Sequence, residues 1–438
     1  MVSGGGACSV WGRRLAVCVQ CVWALWVSAE SEPHKKGRFA VTFEKRSPLS
    51  ALEEMEKRKL GEDINPKVRY ELKDLTFEVL VPDSYEPSKP SALFIWVSSG
   101  DGGGPPGQLV SALGKHNTIF VGANQTGNEQ PVVKRIGAAI DAAHNMPLLY
   151  NIDTNRIYIS GNSGGGRCAS EAAIVFSDVF TGGAFYVIGC NHYDNIPVGD
   201  GSNKFYPGFW PEKNKKLLAL AKDHYFVFLT GSKDMNRLGT IGTCKAYGQD
   251  RFEHCKYIEV PDMGHSTPPA EYFEEGFTFL DGVLVEAGKK AMAQALRLLP
   301  MKKFPEAAAL LAQAKAAGVE EAQTHLDKIK AGSDAETAAG LKCLEAKNLA
   351  QASAVFQKVI RAYGELVAVR AKEELSKLES TPEFIAERTA AERFQQIRGR
   401  FQSDGKAKTA AALKQLIEEY AGTEAAEKAK GVLKNMGG

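Results

Sequence analysis

RIYISGNSGGGR, residues 156–167, is the stretch of sequence that decides the fold. Its first residues are typical of the end of a buried strand, and the Ala-rich residues 168–176 are typical of a buried helix. Between them, Gly161-Asn162-Ser163-Gly164-Gly165 has the pattern Gly-x-Ser-x-Gly. A serine in a sharp strand-to-helix turn needs small residues two positions on either side, because the backbone there passes close to other backbone. The stretch therefore predicts a nucleophilic serine at Ser163, with a Gly- and Ser-rich turn of an ordinary α/β fold as the alternative.

Further strands and helices are predicted on both sides of this stretch. The strands are residues 75–81, 92–97, 118–122, 156–160, 183–188, 225–229 and 257–260, and the helices between and after them are residues 132–146, 168–176, 213–221 and 271–285. Strands that alternate with helices predict a mainly parallel sheet covered on both faces. We therefore expect a three-layer α/β domain over residues 71–285, preceded by a lead segment at residues 30–70.

The overall composition is that of a globular protein. The 438 residues are 44% hydrophobic and 24% charged, and the formal net charge is +2. A chain of this length is expected to form two or three domains. So small a net charge, without an aromatic-interleaved basic stripe, predicts no nucleic-acid partner.

Residues 1–29 have the pattern of a secretory signal peptide. Arg13 and Arg14 precede an apolar run over residues 15–27, and Val27-Ser28-Ala29 has the small residues of a cleavage site. The run is shorter than the ~20 residues that a membrane-spanning helix needs. We therefore expect cleavage after Ala29, a secreted or periplasmic mature chain and no membrane span in it, with an uncleaved N-terminal anchor as the alternative.

Export permits disulfide bonds, and five of the eight cysteines remain after the signal peptide. Cys244 and Cys255 flank a short polar stretch and are the predicted pair. Cys168 and Cys190 could form a second pair or remain buried thiols. No Cys-x-x-Cys or His-x-x-x-His spacing occurs in the mature chain, so no metal site of the zinc type is predicted.

The composition changes near residue 285, and residues 286–438 are rich in Ala, Lys, Glu and Leu. Three units of paired helices are predicted there, over residues 304–329, 349–378 and 407–436, and the second helix of each ends in Ala-x-x-x-Leu-x-x-[Leu/Ile/Met]. The region resembles tetratricopeptide-like repeats, although the full repeat signature is absent; an ordinary helical bundle is the alternative. A protein partner is one expected role of these helices.

A nucleophilic serine needs a base and a group that orients the base. In folds with this serine turn, the chain order is serine, acid, histidine. The predicted strand 225–229 runs into Gly231-Ser232-Lys233-Asp234, and the next strand runs into Met263-Gly264-His265. His265 is therefore predicted as the base toward Ser163 and Asp234 as the residue that orients it. The alternative acids are Asp194, Asp200 and Asp262.

An oxyanion hole is predicted from backbone N–H groups on either side of the serine. Gly164 supplies one N–H at the start of the helix. Residues 98–104, SSGDGGG, follow the first long buried strand, and Asp101 or Gly102 is the expected second donor. A flexible Gly-rich connection without this role is the alternative.

With these motifs in place, residues 71–285 resemble an α/β-hydrolase, closest in style to secreted esterases of the polyhydroxybutyrate-depolymerase and feruloyl-esterase group. The features that carry the resemblance are GNSGG at 161–165, GSKD at 231–234 and MGH at 263–265. It implies hydrolysis of a small-molecule or polymer-borne ester through a serine acyl-enzyme, without a cofactor. The His-Gly usual in the oxyanion loop is replaced here by Ser99-Gly100, and the helical region lies outside the resemblance.

Two other functions are compatible with the same residues. A secreted serine peptidase on this fold would use the same triad. A binding protein that recruits its partner through the helical region would need no triad, and the presence of all three residues therefore favours an enzyme.

Overall fold

A computed structural model of the chain describes residues 33–58, 70–198, 204–206, 208–209 and 213–437. The predicted signal peptide lies outside these residues. The chain divides into two compact units, Met1–Gly276 and Phe277–Gly438. The boundary predicted after residue 285 falls inside the helix Gly282–Leu298 of the second unit.

An eight-stranded sheet forms the centre of the first unit. Its strands follow the order β1-β2-β4-β3-β5-β6-β9-β10, and a separate pair of short strands is formed by β7 and β8. The strands are β1 (Gly37–Val41), β2 (Phe77–Val81), β3 (Ser91–Val97), β4 (Thr118–Ala123), β5 (Ile152–Asn162), β6 (Gly183–Val187), β7 (Ile196–Pro197), β8 (Phe205–Tyr206), β9 (Tyr225–Gly231) and β10 (His254–Val260). β2 pairs antiparallel with both β1 and β4, and every other pairing in the large sheet is parallel.

Helices lie between these strands and after the last of them. They are α1 (Leu52–Lys57), α2 (Val110–Lys115), α3 (Val132–Leu149), α4 (Gly164–Val175), α5 (Lys215–Lys222), α6 (Arg237–Gln249) and α7 (Ala270–Leu280). Strands β1, β7 and β8 and helices α2 and α6 were not predicted from the sequence, whereas α1 lies within a short helix that the capping-box spacing of Ser50 and Glu53 predicts over residues 47–60. The helix predicted over residues 271–285 is interrupted at Asp281, the residue immediately before the following helix Gly282–Leu298.

The apolar run of β3 is explained by helices on both faces of the sheet. All seven of its residues are buried. Leu93 and Ile95 belong to a cluster that includes residues of α3 and α4. Phe94 faces the other side, where its ring contacts Phe185 and that ring in turn contacts Phe273 of α7. Alternate strand residues point to opposite faces, so a strand covered twice is apolar throughout.

The second unit is helical. Its helices are α8 (Gly282–Leu298), α9 (Phe304–Ala316), α10 (Glu321–Glu345), α11 (Leu349–Tyr363), α12 (Val369–Glu379), α13 (Pro382–Gly399), α14 (Phe401–Glu419) and α15 (Glu424–Asn435). One apolar cluster runs from α8 to the start of α13, and a second joins α13, α14 and α15. The predicted fold class, a mainly parallel α/β-hydrolase sheet followed by an all-α region, is confirmed.

The first predicted helix pair is longer than expected. Its second helix, α10, continues from Glu321 to Glu345 and does not end at residue 329. Gly340, a weak helix former, lies inside it because the ring of Phe356 packs against the glycine backbone, where a Cβ atom would overlap the ring. Paired helices are thus present in the unit, and their identity as tetratricopeptide-like repeats stays a prediction.

Candidate active site

Ser163 lies at the end of β5, in the turn before α4. Its φ of 53° and ψ of −119° are rare for a residue with a side chain. Its N–H donates to the Val187 carbonyl oxygen at 2.9 Å. A Cβ atom at either Gly161 or Gly165 would overlap the Val97 carbonyl oxygen, so the two glycines that the motif requires are required here by close backbone packing.

The structure brings Ser163, His265 and Asp234 together in one hydrogen-bonded chain. His265 Nε2 lies 2.9 Å from Ser163 Oγ, and His265 Nδ1 lies 2.8 Å from Asp234 Oδ1. Because an ionised carboxylate only accepts hydrogen bonds, we assign the proton to Nδ1, and Nε2 then accepts from the serine hydroxyl. This is the arrangement in which a histidine can take the proton of a serine.

Asp234 is held in place by the strand that precedes it. Its side chain is fully buried, and the hydroxyl of Thr230 donates to Oδ2 at 2.9 Å. The Asn236 N–H donates to Oδ1 at 3.0 Å, the oxygen that also faces His265. These donors hold the carboxylate toward the imidazole, and the other side of the imidazole faces the serine.

The alternative acids are placed elsewhere. Asp262 is 85% exposed and pairs with Lys233, and its φ of 57° places it in a turn. Asp194 is bound by Lys213, away from the imidazole. Asp200 lies outside the described residues. Among the acids that the structure describes, Asp234 is the carboxylate in contact with His265.

The Gly-rich loop 98–104 lies beside the serine turn. Its Ser99 N–H donates to Asn162 Oδ1 at 3.0 Å, and its Gly103 N–H donates to Asn124 Oδ1 at 2.8 Å. Within the described residues, the N–H groups of Asp101 and Gly102 have no such partner. They and the Gly164 N–H, in the first turn of α4, thus stay the predicted oxyanion donors.

The loop is anchored by Arg135, a buried arginine on α3. Its Nη2 donates to the Ser98 carbonyl oxygen at 2.9 Å and to Asn128 Oδ1 at 3.2 Å, and its Nε donates to the Thr126 carbonyl oxygen at 2.9 Å. The Asn128 N–H in turn donates to the Ser99 carbonyl oxygen at 3.0 Å, and a Cβ atom at Gly164 would overlap Asn128 Oδ1. Sequence reasoning missed Arg135, although a lone arginine on the apolar face of a helix is a signal that could have found it.

The five cysteines of the described residues are free thiols, so the predicted Cys244–Cys255 disulfide is absent. Both side chains pack against the apolar cluster of the first unit, which is where unpaired cysteines are commonly found. Burial raises the pKa of Cys244 to about 11 and that of Cys255 to about 12. Cys190, near the serine turn, has a pKa raised to about 12 by burial, so it is a thiol and not a nucleophilic thiolate at neutral pH.

In the part of the chain that the structure describes, no group of three or more His, Cys, Asp or Glu side chains could hold a metal ion. No helix of these described ranges is long and apolar enough to cross a lipid bilayer.

No protein-family model matches the chain, and no curated protein matches it. Solved structures do show a likeness over about half of its length. A Bacteroides ovatus protein provisionally described as a dipeptidyl aminopeptidase IV is 15% identical, with a TM-score of 0.35, over 48% of this chain and 33% of that one. Est1E from Butyrivibrio proteoclasticus is 14% identical, with a TM-score of 0.34, over 47% and 93% of the two chains. Thermogutta terrifontis esterase 2, phosphonylated by sarin, is 13% identical, with a TM-score of 0.36, over 50% and 92%. The chain spans one third of the first of these proteins, and none of the three defines an activity for it.

Proposed function

We propose that the chain is a serine hydrolase that cleaves carboxylic esters through an acyl-enzyme. The observation that carries the proposal is the hydrogen-bonded chain from Ser163 Oγ through His265 to the buried carboxylate of Asp234. A serine hydroxyl is a poor nucleophile without a base, and this geometry supplies both the base and the group that orients it.

In the first half of the reaction, Ser163 Oγ bonds to the ester carbonyl carbon while His265 Nε2 takes the hydroxyl proton. The carbonyl oxygen becomes an oxyanion, and the Gly164 N–H with that of Asp101 or Gly102 stabilises it. Asp234 stabilises the imidazolium. The bond to the alcohol oxygen then breaks, and His265 gives its proton to the leaving alcohol.

In the second half, a water molecule attacks the acyl-enzyme, and His265 takes one of its protons. The bond between the acyl carbon and Ser163 Oγ breaks, the serine recovers its proton from His265, and the carboxylic acid leaves. Burial of Asp234 supports this role, because a carboxylate shielded from water keeps the imidazole in one orientation throughout the cycle.

A fluorophosphonate probe tests the proposal, because it reacts with activated serines. The full chain is expected to be labelled at Ser163 and to hydrolyse p-nitrophenyl acetate. Ser163→Ala should abolish labelling and lower kcat by roughly 10⁴-fold or more. Ser266→Ala removes an exposed serine beside the site and serves as the control. Labelling that persists in Ser163→Ala would assign the activated serine elsewhere. Faster turnover of peptides than of matched esters would make the chain a peptidase.

A further inference from the structure

Arg167 lies one helical turn after Ser163 on α4, where residues four positions apart share a face. The side chain is half-buried and is held from two sides. Nη1 donates to Asn191 Oδ1 and Nη2 donates to Asn236 Oδ1, both at 2.9 Å. The guanidinium therefore has a defined position close to the nucleophile.

The two asparagines are themselves fixed. The Asn191 N–H donates to Ser170 Oγ at 2.9 Å. The side-chain amide of Asn236 donates to the Ile188 carbonyl oxygen at 2.8 Å, and its backbone N–H donates to Asp234. Arg167 is thus connected to the proposed catalytic acid by one intervening residue, and its position depends on the same loop.

The charge of Arg167 is not neutralised by these contacts. Both of its acceptors are neutral amide oxygens, and no carboxylate of the described residues forms an ion pair with it. Other arginines of this unit differ: Arg58 pairs with Asp178 and Arg237 pairs with Glu259. A guanidinium has five N–H donors, so Arg167 retains several donors and a full positive charge for a further acceptor.

Arg167 lines a cavity of about 150 Å³. Asn191 and Asn236 line it together with apolar side chains, among them Tyr206, Met235 and Leu238. Met235 and Leu238 are 78% and 62% exposed, so they present apolar surface beside the polar cluster. A fixed cation next to apolar surface is suited to a ligand with an anionic end and an apolar body.

We propose that this cavity is a substrate subsite in which Arg167 binds a carboxylate, and that the preferred substrates are esters carrying a free carboxylate. The inference rests on the proposed ester hydrolysis. A guanidinium matches a carboxylate through two parallel N–H donors, and the single positive charge here matches a monoanion. Binding energy gained at this end of the substrate would hold its ester bond at Ser163.

Two substrate pairs test the proposal, each with a charged member and a neutral member of the same size. The first pair, p-acetoxybenzoate and p-acetoxybenzamide, places the carboxylate on the leaving group. The second pair, mono-p-nitrophenyl adipate and its primary amide, places the carboxylate on the acyl part. For each variant the measured quantity is the ratio of kcat/KM for the charged ester to that for the neutral ester. This ratio does not depend on the fraction of protein that is folded.

The wild-type chain is expected to favour the charged member of at least one pair by about tenfold or more, the value of a charge-assisted hydrogen bond. Arg167→Gln should bring that ratio close to one, mainly through KM. Arg167→Lys, which keeps the positive charge but lacks the two parallel N–H donors, should keep part of the preference for the charged ester. Arg237→Gln is the matched control, because it removes a neighbouring arginine that pairs with Glu259, and the ratio should stay at the wild-type value.

Equal rates for both members of both pairs in the wild-type chain would overturn the subsite and leave the proposed function intact. A preference that survives in Arg167→Gln would also overturn it. Failure to hydrolyse any of the four esters would instead contradict ester hydrolysis itself. Raising the salt concentration provides a second readout, because a charge pair at a half-exposed site weakens with ionic strength and the ratio should fall.

Discussion

Ser163, Ile188 and Asp262 each have a positive φ, which residues with a side chain rarely adopt, with values of 53°, 48° and 57°. They follow β5, β6 and β10, at the edge of the sheet where the hydrogen-bonded chain of the site lies. The conformation at Ile188 is costly because its side chain is β-branched. Such strain persists where surrounding contacts enforce it, as the bond from the Ile188 N–H to the Leu229 carbonyl oxygen does at 2.7 Å, and it is concentrated at functional sites.

Asp234→Asn should lower kcat for p-nitrophenyl acetate by roughly 10⁴-fold, because an amide carries no negative charge to stabilise the imidazolium and its NH2 group, when it faces Nδ1, favours the other tautomer of His265. Asp262→Asn is the matched control, since that side chain is 85% exposed and outside the chain of hydrogen bonds. Steady-state kinetics of the two variants shows which aspartate orients His265. A severe loss in Asp262→Asn with a mild one in Asp234→Asn would reverse the assignment.

His224 makes the first unit sensitive to acid. Burial lowers the pKa of His224 to about 4 from an ordinary 6.5, and no described residue forms a hydrogen bond with its Nδ1. Between those two pH values the unfolded chain binds a proton that the folded chain does not. Stability is therefore present above about pH 6.5 and is lost as the pH falls toward 4.

From pH 7 to pH 5, His224 is expected to account for a loss of about 2 kcal/mol in the free energy of unfolding. Urea unfolding of the wild-type chain and of His224→Gln at both pH values measures it. The variant should lose less stability over that interval. His144→Gln, which changes an exposed histidine on α3, is the control and should behave as the wild type does. An identical pH response of His224→Gln and wild type would contradict the assignment.

Arg135 on helix α3 contacts two loops that are far apart along the chain. Residues 98–101 follow β3, and residues 126–128 follow β4. The guanidinium binds a carbonyl oxygen from each loop, so the position of the predicted oxyanion donors depends on a residue that is itself outside the hydrogen-bonded chain of Ser163. We propose that Arg135 is a positioning residue.

Arg135→Gln should therefore lower kcat by roughly tenfold to 100-fold, less than loss of an oxyanion donor outright, with a smaller change in KM. It should also cost about 2–4 kcal/mol in the free energy of unfolding, because buried carbonyl oxygens lose their donors. Rates are normalised by fluorophosphonate titration of active sites at low temperature. Lys134→Gln, on the same helix, is the control, and a normalised kcat equal to wild type in Arg135→Gln would exclude the positioning role.

The two compact units have apolar clusters of their own. One cluster of the first unit extends over residues 41–257, and the clusters of the second unit begin at Ala291. Ser163, Asp234 and His265 all belong to the first unit. The proposed catalytic residues and the helical region are thus separate along the chain. We propose that the helices bind a protein partner or a polymer that carries the substrate.

A chain that ends after Asp281 keeps α7 whole and omits the eight helices that follow. It is expected to fold and to hydrolyse p-nitrophenyl acetate with a kcat within about twofold of the full chain, because the three residues of the hydrogen-bonded chain and the described strands all precede the deleted helices and the first unit has an apolar cluster of its own. Circular dichroism and steady-state kinetics check this. An insoluble product, or a KM raised several-fold, would show that the helical region is part of the working enzyme.

The alternation of apolar strands with helices was sufficient to predict the mainly parallel sheet, because strands covered on both faces must be apolar in long runs. The edge strand β1 was missed because its residues Gly37–Val41 alternate in burial over a short span. Helix α6 was missed because its 13 residues include three glycines and few apolar ones. Cys244 of this helix was predicted to pair with Cys255 because the stretch between them is short and polar, although it lies against apolar side chains as a free thiol.

The features that the sequence alone could predict depend on spacing along the chain. The serine turn, and the order of serine, acid and histidine at three strand ends, follow from spacing along the chain, because parallel strands end at one edge of the sheet. The selection of Asp234 over Asp262, the anchoring of the oxyanion loop by Arg135 and the uncompensated charge of Arg167 required the folded chain. Each depends on which side chains meet across tens of residues of sequence, and burial in that packed arrangement determines whether a charge is paired, solvated or left available to a ligand.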